Sequence, residues 1–245
     1  MELKVYPGYT GLSDAVADET IELIKAKPNA VICFASGDTP RLTCQLLAQK
    51  AKSQQVDTGK IVFIGLDEWV GIPLSNEGSC HYFFQHEVFE PLSLSPAQMH
   101  LFDAMSNNLD NECRKMDAVI AKNGGIDLMI VGIGMNGHIG FNEPGVSFNN
   151  YSHVIDLDET TLTVGQKYFK TTVALQQGIT LGLQHFLESK KAILIANGNK
   201  KAEVIKKTVE GEVTNKFPAS IMQIHRSGFV MVDEEAASLL NKKNV

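Results

Sequence analysis

Residues Ile126–Gly145 read IDLMIVGIGMNGHIGFNEPG, and this stretch decides the fold. Its first part, Ile126–Ile133, is almost continuously apolar and lacks the polar alternation of a half-exposed strand. Such a run fits a strand covered on both faces, as in a parallel sheet. The character then changes abruptly to glycine, Asn136, His138, Glu143 and Pro144. In open α/β sheets ligands bind beyond the carboxyl ends of the strands. The polar half therefore marks a place to look for chemistry.

Four further short runs share the apolar pattern: Ala30–Phe34 (AVICF), Lys60–Leu66 (KIVFIGL), Lys191–Ala196 (KAILIA) and Phe229–Val232 (FVMV). Helical patterns lie before, between and after them, at Ser13–Lys27, Pro40–Ala51, Lys200–Val209 and Glu234–Leu240. The β-α rhythm predicts an α/β fold. It is a doubly wound, mostly parallel, Rossmann-like sheet with helices on both faces. No repeat, low-complexity tract or long linker interrupts it, so residues 1–245 read as a single domain. A length of 245 residues, 44% of them hydrophobic, is enough for one substantial core.

The formal net charge of −6 argues against a general nucleic-acid or membrane-surface binder, which usually presents a basic face. The opening MELKVYP lacks the apolar region of a secretion signal, and no apolar run approaches the roughly 20 residues of a membrane span. Cys33, Cys44, Cys80 and Cys113 form no CxxC pair, which fits reduced thiols in a cytoplasmic protein.

The first four apolar runs in chain order are each followed by a polar segment: SGDTP (36–40), DEWVG (67–71), GMNGHIGFNEPG (134–145) and NGNKK (197–201). Ser36, Gly37, Asp38 and Thr39 precede a helix and fit two roles. Glycine, hydroxyls and free N–H groups at a helix start cradle an anion, and the same residue types are ordinary helix caps. Lys200 and Lys201 fit either the countercharge for such an anion or solvated surface. Asp67, between Leu66 and Trp69, fits a partly desolvated general base or a loop acid. His138, bracketed by glycines and followed by Glu143, fits an oriented proton carrier or a structural loop histidine.

Gly132, Gly134 and Gly137 spell GxGxxG after a strand, with Asp156 or Asp158 about 20 residues on, as in a dinucleotide fingerprint. That fingerprint needs a helix to open at its third glycine, and Gly140, Pro144 and Gly145 oppose one. No Walker A loop, HExxH or GxSxG is present. His81 and His86 lack the spacing and partners of a metal site.

Taken together, SGDTP, LDEWVG, IDLMIVGIGMNGHIGFNEPG and HRSGFVMVDEEAASLL resemble the glucosamine-6-phosphate deaminase family, from about Thr20 to Leu240. That family shares its fold with the 6-phosphogluconolactonases, and Phe141–Pro144 (FNEP) resembles the deaminase form. The resemblance implies an ammonia-releasing isomerase, in hydrolase and isomerase terms alike, acting on a hexosamine 6-phosphate. It implies that His138 opens the sugar ring, that Asp67 moves a proton between C2 and C1, and that Glu143 holds His138. It also implies that Ser36, Gly37, Asp38, Thr39 and Lys201 bind the phosphate. No cofactor and no metal are implied, and the chain is expected to act as a monomer or a homo-oligomer.

Three positions depart from the family pattern. Asn136 stands where an aspartate is usual and supplies no charge to an imidazolium. Lys167, in GQKYF, is the nearest match to an arginine of a mobile segment, and lysine lacks the bidentate fork. Asp38 stands where a small residue is commoner, so its carboxylate is expected to point away from a phosphate and cap the helix. Together they suggest a side branch of the family and leave open the C4 epimer galactosamine 6-phosphate; the shared fold and His138 leave open a lactone hydrolase, and Asn136 an inactive sugar-phosphate binder.

Overall fold

A computed structural model of the chain describes residues 1–241. The strands are β1 (Glu2–Tyr6), β2 (Val31–Phe34), β3 (Val62–Gly65), β4 (Asp67–Trp69), β5 (Met99–His100), β6 (Leu128–Val131), β7 (His153–Asp156), β8 (Gln177–Thr180), β9 (Ala192–Ala196) and β10 (Gly228–Asp233). The α-helices are α1 (Gly8–Ala26), α2 (Asp38–Ser53), α3 (Cys80–Phe84), α4 (Glu90–Leu92), α5 (Leu109–Lys122), α6 (Glu159–Gly165), α7 (Leu183–Glu188) and α8 (Ala202–Glu210).

The apolar runs become the middle of a seven-stranded sheet, ordered β1-β10-β9-β6-β2-β3-β5. Every pairing in it is parallel. Successive side chains of a strand point to opposite faces, and both faces are covered here. Leu128 and Ile130 of β6 enter a core shared with α1 and α2, whereas Met129 and Val131 enter one shared with α5 and α8. That two-sided burial explains why polar residues are missing from these strands. The covering helices show the complementary pattern. On α2, Pro40, Thr43, Cys44, Leu47, Ala48 and Ala51 are buried, a stripe at helical spacing.

A second sheet, β4-β8-β7, is antiparallel. Leu66 alone separates β3 from β4. Its N–H donates to Phe34 O (3.0 Å) in the parallel sheet, and its carbonyl accepts from Leu181 N (2.9 Å), just after β8. The chain thus leaves one sheet and joins the other within a single residue.

Two expectations from sequence need correction. Glu234–Leu240 forms a run of turns, not an α-helix. The Asp233 carboxylate accepts from Ala236 N (2.8 Å) and from Gly198 N (3.0 and 3.1 Å), which ties this segment to the loop after β9. In addition, β1, β5 and the antiparallel sheet had no counterpart among the apolar runs, because these strands are short, polar or at a sheet edge. Among the described residues, no helix is long and apolar enough to cross a membrane.

Candidate active site

Strands β2 and β6 are neighbours, but the chain leaves them in opposite directions. From β2 it passes through α2 to β3, and from β6 it runs on eventually to β9, on the other side. Their carboxyl ends diverge at this switch point. A cavity of about 430 Å³ opens there. Of the residues singled out from sequence, Ser36–Thr39, Asp67, His138, Lys167 and Lys201 all line it. Asn136 and Glu143 do not; they stand behind His138.

No helix follows β6. Residues 132–150 are turns and irregular backbone, so the glycine pattern there is not a dinucleotide fingerprint. Its glycines make room for a side chain instead. A Cβ on Gly134 would lie 2.2 Å from His138 Cε1, so only glycine lets the imidazole fold back over the loop. His138 Nδ1 lies 3.1 Å from Thr161 Oγ1 and 3.5 Å from Glu143 Oε2. With Nδ1 held there, Nε2 is the nitrogen available to the cavity. Asn136 Nδ2 donates to Glu143 Oε2 (2.8 Å), and Asn136 Oδ1 accepts from His138 N (3.2 Å). Asn136 therefore braces both partners through its amide. Burial alone would push the Glu143 carboxyl up, but the groups around it, His138 first, then Thr161 and Asn136, outweigh burial and hold it below its ordinary value.

Asp67 opens β4, opposite Thr180 of β8. Burial, and then the neighbouring Glu68 charge, push its carboxyl up to about 7. The Cys80 thiol, 3.7 Å from Asp67 Oδ1, offsets this in part. Glu68 points the other way, into the protein. Its carboxylate accepts from Trp69 N (2.9 Å), Cys80 N (2.9 Å) and His81 N (2.8 Å), and so fastens the start of α3 to β4.

The Ser36–Thr39 loop, which also lines the cavity, has features that suit an anion. The residue that caps α2 is Gly37, with φ of 111° and no side-chain cap bond. The hydroxyls of this loop are thus not spent on capping. Ser36 Oγ donates to Cys80 Sγ (3.0 Å), and Thr39 Oγ1 donates to Asn197 Oδ1 (2.9 Å). Asp38 does not cap the helix either, contrary to expectation. As the first residue of α2 it pairs with Lys167, at 2.8 Å. Lys201 Nζ donates to Ile133 O (2.6 Å), and burial, with the nearby Lys167 charge, pushes Lys201 down to about 8. An anion between the two lysines would relieve that repulsion.

Several lining residues carried no sequence signal. Thr161, Tyr168 and Cys80 reach the cavity from segments that follow no apolar run. Arg41, directly after SGDTP, also lines it, and forms an ion pair with Glu87. Adjacency to a recognised segment was the only signal available for Arg41.

Fold and cavity together are those of an α/β protein with an anion-suited crevice at the switch point of its sheet. The family model described as glucosamine-6-phosphate isomerases/6-phosphogluconolactonase matches residues 9–231, and the chain belongs to this family. Glucosamine-6-phosphate deaminase of Thermoanaerobacter sp. (strain X514) is 36% identical over 241 residues, covering 98% of this chain and 95% of that one. The corresponding protein of Clostridioides difficile (strain 630) is 36% identical over 245 residues, covering 100% and 98%. A solved monomeric glucosamine-6-phosphate deaminase superposes with a TM-score of 0.94 at 34% identity, covering 98% of this chain and 100% of that one. The 6-phosphogluconolactonase of Trypanosoma brucei, with a TM-score of 0.76 at 16% identity over 98% of each chain, shares the fold.

Proposed function

We propose that this chain isomerises and deaminates a hexosamine 6-phosphate, releasing ammonia and a ketose 6-phosphate. One observation carries the proposal: Asp67, with its carboxyl near 7, and His138, held by Glu143 and Thr161, line the same cavity as Lys201 and the Ser36–Thr39 loop. The phosphate sits against that loop and between the lysines. Neutral His138 takes the proton of the C1 hydroxyl and returns it to the ring oxygen, which opens the ring. Glu143 stabilises the imidazolium formed on the way. Ionised Asp67 then removes the C2 proton while the substrate's ammonium gives a proton to O1, and the resulting enolamine takes the proton back from Asp67 at C1. C2 is left as an iminium, water adds to it, and ammonia departs, so one water is consumed per turnover. Each proton-transfer role is of the kind that contributes on the order of a hundredfold or more.

The names of the relatives support the substrate class, and all the groups used come from one chain. No metal or organic cofactor enters the scheme. The test is an ammonia-release assay on glucosamine 6-phosphate and galactosamine 6-phosphate, beside a hydrolysis assay on 6-phosphogluconolactone. Ammonia from at least one hexosamine phosphate, without added metal or nucleotide, is expected. Lactone hydrolysis alone, or tight binding of all three compounds without turnover, would overturn the proposal.

A further inference from the structure

Asp67 works in an unusual neighbourhood. Glu68 beside it on β4 and Cys80 at the start of α3 act on it, and its own charge raises the thiol of Cys33 on β2. None of them is a cation. The Cys80 thiol is its one side-chain hydrogen-bond donor among these groups, at 3.7 Å. That thiol is itself fixed at two points. Its sulfur accepts from Ser36 Oγ of the anion loop (3.0 Å), and its backbone N–H is tied to Glu68 (2.9 Å). Cys80 is only 4% exposed, yet it lines the cavity. Ser36, Cys80 and Asp67 thus form a chain of polar contacts running from the anion loop to the reacting acid.

Building on the role given to Asp67 above, we propose that Cys80 is a positioning residue for it: the thiol orients the carboxylate toward the cavity while giving it only a weak hydrogen bond. The physical reason is the donor strength of sulfur. A general base needs a fixed direction, but each strong donor on a carboxylate stabilises the charged form and makes it a poorer proton acceptor. A hydroxyl, once the carboxylate closes to the roughly 2.7 Å of an O–H···O bond, would hold it more strongly and weaken it as a base. An alkyl group would leave it without a side-chain donor and free to turn. A thiol, a weak donor, lies between these extremes. The Ser36 hydroxyl donates to the sulfur, which leaves the thiol proton to the carboxylates of Asp67 and Glu68.

Cys80→Ser and Cys80→Ala separate this role from simple packing, because they are expected to move Asp67 in opposite directions. The direct readout is the titration of Asp67 in the free protein, by 13C NMR of labelled aspartate assigned with Asp67→Asn. The serine variant is expected to titrate about one unit lower than wild type, and the alanine variant higher. In the ammonia assay the acidic limb of kcat/KM should follow the same order, with kcat lowered in both variants and KM little changed. The NMR arm needs no turnover, so a failure of the proposed activity would leave it readable and is distinguishable from a failure of this inference. Displacement of both variants in the same direction, or no displacement in either, would overturn the positioning role. A kcat/KM loss that arises wholly in KM would overturn it as well.

Discussion

At the scale of single residues, the site depends on two acids driven in opposite directions. Burial and Glu68 raise Asp67, while His138, Thr161 and Asn136 hold Glu143 low. An acid whose folded value lies above its unfolded one costs stability once pH exceeds the unfolded value, near 3.8, and the full cost is present above about 7. Asp67→Asn is therefore expected to stabilise the protein at pH 8 by about 2 kcal/mol, roughly half the unscreened value because the cavity admits solvent. Denaturant unfolding at pH 8 and at pH 4 checks this, since the gain should vanish at the lower pH. Catalysis carries the same sign. Below about 7 Asp67, the proposed base, is protonated, and kcat/KM should fall tenfold per pH unit. Above about 8, Lys201 loses its proton and KM should rise. The expected optimum is a narrow plateau between those values, and a pH profile without a limb near 7 would contradict it.

At the scale of elements, two local devices aim the groups proposed to react. Leu66 carries the chain from the parallel sheet to the antiparallel one, so Asp67 emerges at the rim of the cavity. Gly134 leaves space for the His138 ring. Gly134→Ala is expected to leave a folded protein, destabilised by about 1–3 kcal/mol, with kcat/KM reduced on the order of a hundredfold. Circular dichroism beside the ammonia assay checks both halves. Glu68→Ala removes the acceptor of three N–H groups and should free α3 from β4, at a cost of about 3 kcal/mol. Elements that bury both faces were readable from sequence, because two-sided burial forces continuous apolar runs such as Leu128–Val131. The antiparallel strands were not, since Asp67–Trp69 and Gln177–Thr180 are stabilised by partners more than 100 residues apart. Glu234–Leu240 has helical spacing but follows the Asp233 side chain into turns. The candidate residues at strand ends were legible for a related reason, as the fold itself places such segments at the crevice. Thr161, Tyr168 and Cys80 were not legible, because only tertiary packing carries them there.

At the scale of the whole molecule, an overall acidic chain places Lys201, and Lys167 paired with Asp38, at one cavity. Lys167 and Lys201 face a cavity whose loop has its hydroxyls and helix N–H groups uncommitted to capping. Inorganic phosphate is expected to raise the melting temperature, with a stabilisation of about 2.7 kcal/mol at a concentration one hundred times its dissociation constant. Lys201→Ala should remove most of that gain in a thermal-shift titration. The family model spans residues 9–231, which include the residues that line the cavity. The central claim is that an acid at position 67 and an imidazole at position 138 act on one bound sugar phosphate. Turnover and binding of glucosamine 6-phosphate and galactosamine 6-phosphate by Asp67→Asn test it most directly. The expected result is loss of ammonia release with calorimetric binding largely retained; release at the wild-type rate would contradict it.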